Sequence, residues 1–576
     1  MAQDKIQRPE TVLFVGAGAT QQLSMPTTGE QAGFLWTFCD SELTAEAVEE
    51  ATAHSGCFKG RGQCLVDMLT LLDGGPSGDE PPKFSCAFRE RVFPGLSEAE
   101  VGAVVFRLRR RYDWGALKLV AKAKKGNSNK KEPIADYVQM VFTLIDACVR
   151  ENRGFAVYDE NNARVFLSVN RLQTARETLV LIENTMFACA WSNAVKNKRG
   201  ELEKYRAFFR SLAKAMQEEG GRFLDAGCRK NLPEFYQFSY SLLTTNFDPL
   251  FLWFIWTAHD KVNHEAEVRL DNPGRGLKLL MNFPNTVGMR RPIENDGERS
   301  NADIWFPCTD AAAQNVNNPK HGDDRIVRIG KYYAVHGMSN TRLCPMCGRL
   351  NLYVGDTWDE DSASLFPNGI VEGLAKGAAP RTEKEREARK RGEYDALSCH
   401  FCGELTHSYD NFMFMQTQLK NLPPSFIKET TDEALAGIAG AKHIVLLGYS
   451  MPLDDAIWGS LLTAMSRRKK DERLYCSVAA TYDKDGPEGW LYGKTLDDYI
   501  ERYAHSRDEY EKIRAIENAT AVFGKENVRA YVRGVPNVFG SGTVEDVRRL
   551  LYPYDQAGWN IPEFMAGGVA RGGRRT

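Results

Sequence analysis

Nothing in this chain approaches the ~20 consecutive apolar residues that a helix needs to cross a bilayer. The opening stretch, MAQDKIQRPE, carries no signal-peptide pattern before the sequence turns apolar at Val12. Excess charge of one sign is missing as well: 74 Lys and Arg face 76 Asp and Glu, a formal net charge of -2, so a global polyanion binder is not expected. Basic residues gather only locally, at Lys122, Lys124, Lys125, Lys130 and Lys131, and in the tail at Arg571, Arg574 and Arg575. Both groups sit beside Gly, Ser, Asn or Pro and read as solvated loop and frayed terminus, with a nucleic-acid or partner-docking surface as the alternative. No internal repeat occurs. The 13 cysteines are an odd count, and most, such as Cys148, Cys189 and Cys476, stand singly in apolar surroundings as small buried hydrophobes. A reducing, cytoplasmic location is the expectation.

What is present, over 576 residues, is room for more than one domain. Residues 11–16 form an apolar run ending in glycine, the pattern of a buried parallel strand, with a helix expected from about Gly29 to Cys39. From about 41 to 235 the spacing turns helical. Ser97 and Glu100 make a capping box, Pro133 opens a second helix, Thr174 and Glu177 cap a third, and a fourth runs from about Glu201 to Glu218. Strand patterns return at Phe238–Thr245, Tyr332–Val335, Ile444–Gly448, Tyr475–Ala480 and Val528–Val532, several of them separated by helical stretches. This predicts an α/β chain with a doubly wound, Rossmann-like parallel sheet. The domain is discontinuous, 11–40 with 236–540, and is interrupted by a mainly helical insertion at 41–235. A zinc-binding module is expected at 337–410, containing a charged loop or solvated helix over 376–394, and residues 541–576 read as a tail.

Five short motifs lie at the ends of these segments. Gly16-Ala17-Gly18-Ala19-Thr20 is a glycine turn between strand and helix, where the backbone can approach a pyrophosphate, though the third glycine of the dehydrogenase fingerprint is missing. Thr244-Thr245-Asn246-Phe247-Asp248 follows an apolar strand, and an Asn there can hold a ribose hydroxyl or a water. His336 precedes Gly337, and an imidazole that titrates near neutrality can take a proton from such a group. Cys344 and Cys347, with Cys399 and Cys402, are paired C-x-x-C turns, the ligand set of a closed, structural zinc site. The 51 residues between the pairs are more than usual, and His400 and His407 are poorer alternative ligands. Gly448-Tyr449-Ser450 ends a fourth apolar run. Each motif alone also fits an ordinary turn or a satisfied structural residue.

In this order the five resemble the sirtuin fold, and more closely its divergent bacterial branch of NAD-cleaving defence proteins. The resemblance covers about 11–30 and 236–540. It implies an enzyme that uses NAD+ as substrate and carries structural Zn2+. Asn246 and His336 would be the catalytic pair, with His336 as general base. Gly16, Ala17, Gly18, Ala19, Thr20, Pro26, Thr245, Asp248, Gly448 and Ser450 would contact the dinucleotide. Pro26 falls at the spacing of the sirtuin Pro-Asp-Phe-Arg run, but Thr27, Thr28 and Gly29 replace its last three residues. The Phe-Gly-Glu segment that lines the acyl-lysine channel of deacylases is also missing, so water becomes the favoured acceptor. The resemblance therefore implies NAD+ glycohydrolase activity in antiphage defence, held silent until assembly or a partner activates it. The expected partners are further copies of the chain and a HerA-type ATPase. A deacylase or ADP-ribosyltransferase, and a non-catalytic NAD or ADP-ribose scaffold, are the alternatives.

Overall fold

The computed structural model describes residues 11–73, 84–126, 137–159, 161–225, 240–268, 277–283, 286–290, 304–305, 326–353, 380–413, 425–451, 459, 461, 465, 474–480, 482–505 and 509–551. Lys130, Lys131, Pro133 and the three tail arginines lie outside them.

Seven strands form one sheet: β1 (Thr11–Val15), β2 (Tyr240–Thr244), β3 (Leu277–Asn282), β4 (Ile326–Ala334), β5 (His443–Leu447), β6 (Tyr475–Ala479) and β7 (Val528–Ala530). Their order is β7-β6-β5-β1-β2-β4-β3, and every pairing is parallel. The expected α/β class with a parallel sheet is present. Side chains alternate between faces, so a central strand covered on both sides must be apolar throughout. β1 meets this condition: Leu13 and Val15 enter one core, shared with the helices of the first half, while Val12 and Phe14 enter the other. Leu242 and Leu243 of β2, and Val445 and Leu446 of β5, divide in the same way.

Between β1 and β2 the described chain is helical apart from one hairpin, Phe155–Tyr158 with Arg164–Leu167. The Ser97–Glu100 capping box forms as its sequence predicts. The box at Thr174 does not. A helix runs unbroken over Val169–Asn197, Ser168 is its N-cap, and the Thr174 hydroxyl donates back to the Arg171 carbonyl at 2.9 Å. Ser168 wins because its backbone is extended and its side chain accepts from Arg171 N, whereas Thr174 is already inside the helix. A second long helix, Arg199–Asp225, follows at once. Lys122, Lys124 and Lys125 close the helix Trp114–Lys125, where cations suit the negative end of the dipole. Lys125 is paired with Asp40 at 2.9 Å rather than solvated.

A smaller sheet is built on Gly337–Leu343, which pairs antiparallel with Leu350–Leu352 and with Asn411–Met413. The charged stretch beside it holds a helix, Glu383–Lys390, whose Glu385 and Ala388 are buried. At the far end, residues read as tail begin with the helix Val544–Leu551, and Leu551 O accepts from the Thr11 hydroxyl at 2.9 Å. Among the described residues no helix is long and apolar enough to cross a membrane.

Candidate active site and candidate metal centre

The sheet changes its direction of growth at β1, with β2, β4 and β3 on one side and β5, β6 and β7 on the other. Loops leaving the C-terminal ends of β1 and β5 therefore diverge, and ligands of such sheets bind in the crevice at that point. Gly16 and Gly448 are the first residues beyond these strands. Gly16 N donates to Leu447 O at 2.9 Å, and Gly18 N to Gly448 O at 3.0 Å. Gly448 has φ +58, and a Cβ there would lie 1.8 Å from Ala19 N; one on Gly16 would lie 2.7 Å from Gly448 O. The crossing of two backbones thus requires these glycines before any ligand is considered. The N–H groups of Gly16, Gly18, Ala19 and Thr20 are all engaged by backbone carbonyls, and Ala17 stands exposed at the crest of the turn.

Behind the turn three side chains meet. The Thr20 hydroxyl donates to Asp248 Oδ2 at 3.0 Å, and Asn246 Nδ2 reaches the same oxygen at 3.2 Å and Thr20 Oγ1 at 3.5 Å. Asp248 Oδ1 accepts from Leu250 N at 3.1 Å, which fixes the carboxylate at the start of the helix Leu250–Val268. An ionised carboxylate only accepts, so it dictates which end of the Asn246 amide faces it. Asn246 Oδ1 is left without a hydrogen-bond partner among the described residues, on a side chain 5 % exposed. A buried unpaired oxygen costs about 1–3 kcal/mol, a cost that a ligand hydroxyl or a water would remove.

Burial raises the Asp248 pKa to about 6, although Leu250 N and the Thr20 and Asn246 side chains pull against it. Because the folded pKa lies above the unfolded one, the folded state binds the extra proton. The stabilising contribution is full below about pH 4 and is lost as pH rises through about 6. Protonation also weakens the acceptor that holds the Asn246 amide. Activity should accordingly show an acidic limb with a midpoint near 6, missing from the low residual rate of Asp248→Asn. Wild type should gain thermal stability relative to that variant as pH falls from about 7 to about 5.

His336, 6 % exposed, follows β4 and lies beside the same segment, its ring centroid 6.1 Å from that of Phe247. Ser339 N donates to Phe247 O at 2.8 Å, and Val335 N to Thr244 O at 3.2 Å, so two backbone bonds hold the His336 loop against the Asn246 loop. Gly337 has φ +76, and a Cβ there would meet Phe412 O at 2.4 Å, which accounts for the glycine after the histidine. Thr245 is half-buried, with its N–H on Val15 O at 3.1 Å. Ser450 is half-buried too, and its carbonyl and that of Met451 both accept from Asn518 Nδ2 at 3.2 Å. Pro26 is buried just ahead of Thr27, which forms a capping box with Glu30 at the start of the helix Thr28–Phe38.

The four cysteines converge. Cys344 and Cys402 sulfurs lie 3.5 Å apart and those of Cys347 and Cys399 3.7 Å apart, with all four within 4.8 Å of one another. A disulfide needs ~2.05 Å, whereas a tetrahedral ion with ~2.3 Å bonds to sulfur spaces its ligands about 3.8 Å apart. The two knuckles fold alike. Gly348 N donates to Cys344 O and Gly403 N to Cys399 O, and both glycines have positive φ, +65 and +70. Burial pushes the Cys344 thiol up to about 12. At Cys399 burial acts the same way but is overcome by the N–H groups of Cys402 and Phe401 and by Asn351, which bring it to about 7. Asn351 is buried and ties the knuckle together, donating to Cys399 Sγ at 3.4 Å and accepting from His400 N at 2.8 Å. His407 turns away to Glu393 and Asp410, and the cysteines alone form the metal-holding group among the described residues.

No protein-family model matches the chain, and no match to it was found among curated proteins.

Function must therefore be read from geometry. The structure brings the glycine turn, Thr20, Asn246, Asp248, His336 and Gly448 to one edge of the sheet. The cysteine cluster is apart from them. His336 and Cys344 flank opposite ends of the strand Gly337–Leu343, a span of roughly 20 Å at ~3.3 Å per residue. An ion held there can brace the smaller sheet but cannot touch chemistry at His336. Asn351 and Asn518 carry no local sequence signature that marks them: Asn351 meets Cys399 Sγ and His400 N, and Asn518 meets the Ser450 and Met451 carbonyls, all far along the chain.

Proposed function

We propose that the chain is an NAD+ glycohydrolase whose reaction takes place in the crevice between β1 and β5. The observation that carries this reading is the Asn246 amide, clamped at its nitrogen by Asp248 and Thr20 while its buried oxygen has no partner among the described residues. The bond between C1′ of the ribose and the nicotinamide nitrogen breaks, and its electron pair leaves on neutral nicotinamide. A water oxygen bonds to C1′ and gives up a proton, so that NAD+ and water yield nicotinamide, ADP-ribose and a proton. Asn246 Oδ1 accepts a hydrogen bond from the water or a ribose hydroxyl and sets it in line. His336 takes the proton.

Zinc in the Cys344, Cys347, Cys399 and Cys402 cluster has a bracing role. Purified protein should carry about one zinc per chain, and Cys399→Ser or strong chelation should lower the melting temperature by roughly 5 °C or more. In keeping with the resemblance, the activity would serve antiphage defence by depleting NAD+. Uncontrolled, such hydrolysis kills the host cell, so assembly of several copies or a HerA-type ATPase would gate it. A deacylase or ADP-ribosyltransferase would use the same crevice with a protein acceptor. The readings separate when nicotinamide release is measured with and without an acetylated peptide. Hydrolysis requires release in its absence and a loss of about a hundredfold or more in His336→Ala; release only with peptide would replace the reading with a deacylase.

A further inference from the structure

Two long helices, Val169–Asn197 and Arg199–Asp225, meet at Lys198, and on either side of this joint they touch the turn after β1. Before the joint, Asn193 Nδ2 donates to Ser24 Oγ at 3.0 Å and to Gly56 O at 3.1 Å, while Asn197 holds its oxygen at 2.6 Å. Ser24 is buried with φ +66, a left-handed conformation that a side chain adopts only when its surroundings hold it there. Beyond the joint, the Tyr205 hydroxyl donates to Ala19 O. The Tyr205 ring is fully buried against Phe254 and Phe251 of the helix that follows Asp248, and against Phe539. Burial first, then the nearby Asp248 charge, push its ionisation far up, so the hydroxyl stays a donor. The Ala19 carbonyl belongs to the peptide that leads into Thr20, whose hydroxyl lies between Asp248 and Asn246.

We infer that this helix joint controls the crevice: Tyr205 and Asn193 are positioning residues that hold the 17–25 turn so that Thr20 meets Asn246 and Asp248. A shift of the helix pair is thereby transmitted to the Asn246 amide. For the reaction affected, this inference rests on the proposed NAD+ cleavage; for the coupling itself, it does not.

Tyr205→Phe keeps the ring and removes one hydroxyl, and Asn193→Ala removes the other contact without touching the aromatic cluster. The full-length chain and each variant are compared by amide hydrogen exchange, melting temperature and steady-state nicotinamide release from NAD+. In both variants exchange across 16–25 should quicken about five- to tenfold, with the helices over 169–225 as protected as before. Turnover should fall by about the same factor while KM for NAD+ changes little. Unchanged exchange in 16–25, or exchange raised equally across 169–225, would overturn the coupling. If wild type releases no nicotinamide either alone or with a partner ATPase added, the proposed reaction fails, and the exchange comparison still decides the coupling.

Discussion

Asn246→Ala is expected to cut NAD+ cleavage by about a thousandfold while leaving the melting temperature nearly unchanged. The loss in rate follows from removing a buried amide whose oxygen has no hydrogen-bond partner among the described residues. The small effect on stability follows from opposing contributions. The variant gives up the 3.2 Å bond to Asp248, about 1–2 kcal/mol, and also removes an unsatisfied oxygen of similar cost. Thr20 and Leu250 N still satisfy Asp248. Asn246→Asp should behave differently, because a second carboxylate facing Asp248 is repelled and destabilises the folded chain at neutral pH. Rates from nicotinamide release and melting curves on the same preparations check both. A variant that keeps more than about a tenth of wild-type activity would remove Asn246 from the chemistry.

The largest effect on stability is expected at Gly448. Alanine there demands a positive φ and puts its Cβ 1.8 Å from Ala19 N, a backbone atom that cannot swing aside. The two turns must separate, which breaks the Gly18 to Gly448 bond and opens the site where β1 and β5 diverge. A loss above about 4 kcal/mol is expected, enough to make much of the chain unfolded or insoluble. Gly29→Ala is the control. Its nearest neighbour is Thr27 Oγ1 at 3.7 Å and it lies in the first turn of an exposed helix end, so it should be neutral or mildly stabilising. Soluble yield and thermal unfolding report on both.

The strand ends at Val15, Thr244 and Leu447 were legible because a parallel strand buried on both faces must be apolar at successive positions, and the motifs sit just beyond those runs. β3 and the first half of β4 were not. The sequence of β4, Ile-Val-Arg-Ile-Gly-Lys, interrupts the apolar pattern, yet Arg328 is wholly buried with its guanidinium on Met216 O. A buried guanidinium that donates to a carbonyl 112 residues away has no signature in its own neighbourhood. The same holds for the helix joint: Tyr205 meets Ala19 across 186 positions and Asn193 meets Ser24 across 169. Residue type marked Asn246, His336 and the four cysteines. Their partners Asp248 and Thr20 lay within the quoted motifs, but only the fold shows that one holds the amide of Asn246 and the other bridges them. The glycines of the β1 turn carry a different lesson. A phosphate cradle and a crossing of two backbones ask for the same residue, and here the crossing with Gly448 accounts for it.

The most direct measurement of the central claim is the stoichiometry of products from NAD+ and purified full-length chain, without acyl peptide, followed by chromatography. One nicotinamide and one free ADP-ribose per NAD+ consumed, abolished in Asn246→Ala, is the result expected. NAD+ bound and recovered intact, alone and with a partner ATPase added, would contradict hydrolysis and leave the crevice a binding site.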